Sequence, residues 1–209
     1  MFTIILISIC LFALLVGFMT VVVRAGLENL SGINKEVFET LRDMGNFHLM
    51  EIPQGLRDVL GIGSKNVWLV KEGFMSEFHG AKVVHGMMMS VSPTYQTNDD
   101  AIVIVPDTKS ELLEMLSLVQ GSGLGNISHF VYHELVHVSQ FQRILNGGAK
   151  GLLQSFLFII GYFIPYIIRP VELEAYFYQG VVKRRIPSLN IGTQAEQYCS
   201  VPCPEEWCC

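Results

Sequence analysis

The chain has 209 residues, half of them apolar and 16% charged, with a net charge of −5. That length allows one domain with additions and a sizeable hydrophobic core. The acidic balance, with no basic patch interleaved with aromatics, excludes nucleic acid as an expected partner.

From the start of the chain, Phe2 to Val23 carries no charged side chain and is long enough to be read as a transmembrane helix. A cleaved signal peptide ending near Val23-Arg24-Ala25 is the rival reading. The length of the run, and the lack of Lys or Arg ahead of it, favour an uncleaved anchor over residues 1–24. Arg24, Lys35 and Arg42 follow the run, so the positive-inside rule predicts a single-pass protein with a cytoplasmic domain.

Beyond the anchor the pattern predicts an α+β domain over residues 25–190. Ile33 to Met44 sets Val37, Phe38, Leu41 and Met44 at helical spacing, with Gly45 as the stop. Asn66 to Lys71, Ala81 to Val91 and Asp100 to Val105 are β-rich runs bounded by turn residues, which predicts a three-stranded sheet. Thr108-Lys109-Ser110-Glu111 is a capping box that opens a helix to about Val119. The glycine-rich loop from Gly121 to Gly125 lacks the spacing and lysine of a phosphate-cradling loop. His48, His79 and His85 are isolated and receive no role, and Met87-Met88-Met89 is read as core packing.

The decisive stretch is His133-Glu134-Leu135-Val136-His137, within a predicted helix from Ile127 to Leu145. Asn126 or Ser128 can cap its start, and Asn146-Gly147-Gly148 can end it. Residues four apart share a helix face, so His133 and His137 can reach one metal ion. A catalytic zinc takes three protein ligands and leaves its fourth place to water, whose proton an adjacent carboxylate removes. Glu134 is that carboxylate by position. His129 cannot join the pair: it lies eight residues from His137, about 12 Å along a helix at 1.5 Å per residue.

The third ligand must come from elsewhere, and Pro170-Val171-Glu172-Leu173-Glu174-Ala175-Tyr176 is the acidic cluster available downstream. An H-E-L-V-H segment followed by P-x-E-x-E-A resembles the gluzincin zinc metallopeptidases over roughly residues 126–180. The resemblance implies that Glu172 completes the zinc site, that Ala175 allows close helix packing, and that Glu174 is the second choice of ligand. It also implies an acid at position 176, where this chain has tyrosine. Between the two motifs, Leu152 to Ile168 is uncharged. A straight span there would separate Glu172 from His133 by about 30 Å, so the segment is expected to dip back, lie at a membrane interface or form a buried helix, with membrane contact preferred.

Cys199, Cys203, Cys208 and Cys209 crowd the last eleven residues, and 191–209 is read as a flexible cysteine-rich tail. The sequence therefore predicts a membrane-anchored zinc metallopeptidase acting on peptide or protein substrates. His133, His137 and Glu172 would bind Zn2+, with Glu134 as the general base. The alternative is a zinc-stapled pseudoenzyme or membrane adaptor without catalysis.

Overall fold

The computed structural model describes residues 6–8, 10–15, 17–18, 21, 32–79, 88–92, 99–118, 127–161, 163–165, 168–185 and 191–200. From Gly32 onward its elements are β1 (Gly32–Asn34), α1 (Lys35–Asp43), β2 (Phe47–Leu49), α2 (Gln54–Leu60), β3 (Asn66–Lys71), α3 (Glu72–His79), β4 (Met88–Ser92) and β5 (Asp100–Val105). The remainder is helical: α4 (Lys109–Leu118), α5 (Ile127–Asn146), α6 (Gly148–Gly161), α7 (Pro170–Arg185) and α8 (Ile191–Ser200).

The sheet order is β1-β4-β5-β3-β2, with β1 parallel to β4, β3 parallel to β5, and the other two pairs antiparallel. Side chains alternate across a strand, and β5 shows why its sequence is apolar throughout. Ala101, Val103 and Val105 join the core cluster that includes Leu135 and Val136 of α5, while Ile102 and Ile104 join Phe38, Leu41, Phe74 and Met75 of α1 and α3. A strand buried on both faces has no reason to alternate polar and apolar residues.

The predicted α+β domain with a three-stranded sheet behind an N-terminal transmembrane helix is corrected in two respects. The described chain is mostly helical, and the three longer strands β3, β4 and β5 are flanked by two three-residue edge strands, β1 and β2. Short edge strands such as Phe47–Leu49 carry too few residues for a readable alternation; hydrogen bonding to β3 defines that one. In addition, no helix among the described residues is long and apolar enough to cross a membrane. The single-pass anchor over 1–24, and the cytoplasmic placement inferred from it, are therefore not supported.

Local signals elsewhere hold. Glu111 N–H donates to Thr108 Oγ1 at 3.2 Å, and Thr108 N–H donates to Glu111 Oε2 at 3.1 Å, which is the reciprocal capping box. Gly147 and Gly148 take φ of 69° and 67°, a left-handed turn that stops α5 and reverses the chain into α6. A Cβ on Gly151 would lie 2.7 Å from the Arg143 carbonyl oxygen, so α6 packs directly on the end of α5. At 14 residues, α6 is about 21 Å long at 1.5 Å per residue. It buries Gly151, Gln154, Ser155 and Gly161, and exposes Leu152, Leu153 and Phe156.

Residues 191–200, read as flexible from the sequence, form α8, which packs on α5 and buries Ala195 and Cys199. The Cys199 thiol donates to the Pro106 carbonyl at 3.4 Å, and burial pushes its pKa up to about 11. It is a core residue rather than a reactive thiolate. The other tail cysteines, like most of the predicted strand 81–91, His85 and the Gly121–Gly125 loop, lie outside the described residues.

Candidate metal centre

Helix α5 is enclosed on nearly every side. Val131, Leu135, Val138 and Ile144 are at most 1% exposed, and the helix touches α6, α7, α8 and β5. His133 and Glu134 are buried in the middle of it, and His137 is only partly accessible. Helix α7 lies against α5, with Pro170 at its first position, where the missing N–H costs nothing. Glu172 is buried in its first turn and Ala175 is fully buried.

This packing brings three ligand-type atoms together. His133 Nε2 lies 3.1 Å from Glu172 Oε2, His137 Nε2 lies 3.5 Å from the same oxygen, and the two Nε2 atoms are 3.1 Å apart. All lie within 4.8 Å of one another, so the group could hold a metal ion. The spacing can be tested against an ion's needs: tetrahedral ligands about 2.0–2.1 Å from zinc stand about 3.3 Å from each other. The observed separations bracket that value.

The donor chemistry also calls for a cation. Two imidazole Nε2 atoms and a carboxylate oxygen meeting at such distances repel unless a proton or a metal sits among them. For Glu172, burial works to raise the carboxyl, but hydrogen bonds and charge from both histidines outweigh it and hold it well below the usual carboxylate range. For His137, burial works downward and is overcome by Glu172 and Glu134, which lift it to about 9. Burial dominates at His133 and lowers its pKa.

Glu134 stands apart from this triad and is handled differently by the fold. Burial, with a contribution from the Glu172 charge, pushes its carboxyl up to about 8 against the opposing pull of His137. Its Oε2 has no protein hydrogen-bond partner among the described residues. A carboxyl that changes protonation near neutral pH beside a metal-ligand cluster is suited to accept and return a proton.

Of the residues singled out by sequence, the structure unites His133, His137 and Glu172, and leaves Glu174 and His129 out of the group. Glu174 instead pairs with Arg143, at 2.7 Å. Tyr176, where the resemblance implies an acid, packs its ring against His133 with centroids 4.8 Å apart. His48 stacks on Tyr198 of α8, a packing role. Gln140 and Gln179, fully or nearly fully buried around the cluster, were not anticipated. Gln140 was readable in principle, since it follows His137 by three residues on the same helix face. Gln179, which acts on His133, has no comparable local signal. A cavity of about 730 Å3 lies beside the neighbouring face of α5, bordered by Val136, Ser139, Arg143, Gln154 and Glu174. The ligand triad and Glu134 do not line it.

Comparison with protein-family models, curated proteins and solved structures finds no match to this chain.

Proposed function

We propose that this protein is a zinc-dependent metallopeptidase of gluzincin type that hydrolyses peptide bonds in peptide or protein substrates. The observation that carries the reading is the convergence of His133, His137 and Glu172 beside a buried Glu134 with an oxygen unpartnered among the described residues. His133 and His137 would offer Nε2 and Glu172 would offer Oε2 to the ion. Zinc, when held there, supplies Lewis acidity and lowers the pKa of a water molecule to about 7. Glu134 would accept the proton of the attacking water and return it to the departing amine. The buried setting excludes bulk water, which strengthens each of these interactions.

The test is metal analysis and peptidase assay of the full chain beside Glu134→Gln. Zinc at one equivalent in both proteins, with activity in the wild type alone, is the expected result. Full activity in Glu134→Gln would remove Glu134 from the mechanism, and absence of zinc from metal-replete wild type would remove the site.

The second reading, a zinc-stapled pseudoenzyme or adaptor, draws on Tyr176, whose ring stands against His133 where the resemblance implies an acid. On that reading the wild type binds zinc and shows no hydrolysis, and Glu134→Gln leaves partner binding unchanged.

A further inference from the structure

Gln140 is 0% exposed, and its side-chain hydrogen bonds converge on one logic. Its Nε2 donates to the Val171 carbonyl at 2.8 Å and to Glu174 Oε2 at 3.0 Å. Its Oε1 stands 2.8 Å from His137 Nδ1. An amide can be flipped, and its partners decide which way it points. The Val171 carbonyl cannot donate, and neither can the Glu174 carboxylate, whose other oxygen accepts from Arg143 Nη2 at 2.7 Å. The Gln140 oxygen must therefore face His137, and His137 Nδ1 must carry the hydrogen that it accepts. The Nε2 of His137 is then the atom with a lone pair available to an ion, and it is also the atom that lies 3.1 Å from His133 Nε2.

We propose that Arg143, Glu174 and Gln140 form a positioning relay that sets the tautomer and ring orientation of His137 for metal binding. This rests on the metal reading above and deepens it. The relay runs from α5 to α7 and back: Arg143 fixes Glu174, Glu174 and the Val171 carbonyl fix the Gln140 amide, and the amide fixes the imidazole. It takes up the support that the resemblance would assign to an acid at position 176, and it acts on His137 where Tyr176 contacts His133. Glu174 thus serves the site without being a ligand. A metal-bound imidazole is normally held by a partner on its other nitrogen, and loss of that partner weakens binding about 10–100-fold.

The experiment is zinc affinity by chelator competition on the full chain, with melting temperature followed in parallel. Gln140→Met is expected to weaken zinc binding about 10–100-fold. Gln140→Glu is expected to weaken it as well, because the new carboxylate faces Glu174 and the Val171 carbonyl. The double variant Gln140→Glu with Glu174→Gln restores a donor opposite the new carboxylate and should recover part of the loss, the Val171 carbonyl remaining unpaired. A merely structural Gln140 would lower the melting temperature without this pattern, and unchanged affinity in Gln140→Met would overturn the relay while leaving the metal site standing. A wild type that binds no zinc would overturn both. If the variants do not fold, nitrogen-15 NMR of the zinc-loaded wild type decides. Ligation by His137 Nε2 with a slowly exchanging Nδ1 hydrogen supports the relay, and ligation through Nδ1 rules it out.

Discussion

The two sides of the sheet differ in what the helices over them bury. On the face covered by α1 and α3, the core consists of Phe38, Leu41, Val70, Phe74, Met75, Ile102 and Ile104, every one apolar and at most 1% exposed. On the other side the residues packed on the sheet, Leu135 and Val103 among them, are apolar as well, but α5 and the helices against it, α6 and α7, also bury His133, Glu134, Gln140, Gln154 and Glu172, each at most 6% exposed. Burying a large apolar side chain stabilises a fold by roughly 1.5–3 kcal/mol, while a buried polar group left without a partner costs about 1–3 kcal/mol. The first face is explained by stability alone. The second buries polar groups whose cost partners must offset: Gln140 bonds Val171, Glu174 and His137, whereas Glu134 Oε2 has no hydrogen-bond partner among the described residues.

The contrast can be broken most directly at Glu134. Glu134→Gln should reduce peptidase turnover by about 10²–10⁴ while leaving zinc content and melting temperature close to wild type. A variant that lost zinc as well would mean that the side chain supports the ligands. The opposite face makes the opposite prediction: Phe74→Ala should cost about 3–5 kcal/mol of stability, measured by denaturant unfolding. Zinc affinity of the folded protein should not change; a large change would show that the two faces are not independent.

Metal removal sharpens the comparison further. If zinc binds the native state alone, a hundredfold excess over its Kd adds about 2.7 kcal/mol to stability. Chelation should remove that increment in the wild type and have no effect in Glu172→Ala. An equal response to chelator in both proteins would place the ion elsewhere. At the α5–α6 junction a Cβ on Gly151 would meet the Arg143 carbonyl. Gly151→Ala should cost about 1–3 kcal/mol through the forced shift of α6, again read by unfolding.

The smallest effect is expected outside both regions, at Lys65, which is 5% exposed. Burial lowers its pKa from 10.5 to about 8, with Asp100 and Asp99 pulling the other way. Between those values the unfolded chain binds more protons than the folded one, so stability rises with pH there. Lys65→Met should then stabilise the protein by about 1 kcal/mol at pH 7, less than the bare linkage because Asp99 and Asp100 lose a cationic neighbour. The gain should shrink as pH rises from 8 and vanish above about 10.5. A gain that is independent of pH would assign the effect to packing.

Local rules were legible wherever the physics was local. The four-residue spacing of His133 and His137, the capping box at Thr108, the left-handed stop at Gly147, and the β-rich runs Asn66–Lys71 and Asp100–Val105 depend only on neighbours along the chain. Each appears in the structure at or near the residues predicted. The long apolar run near the N-terminus advertised hydropathy, but hydropathy alone does not set the length of a helix, and no described helix meets the need of a span. Glu172 and Glu174 differ by two positions on one helix, which turns them about 200° apart, at 3.6 residues per turn. Composition does not say which of the two reaches the histidines. That was decided by α6 doubling back on the end of α5 and by the angle at which α7 meets it. The same packing turned Glu172 toward the histidines and Glu174 toward Arg143, 31 residues away in sequence. Contacts across such separations depend on how whole elements pack, and that is why the tertiary structure alone could bring Glu172 to the histidines and hold Gln140 between Glu174 and His137.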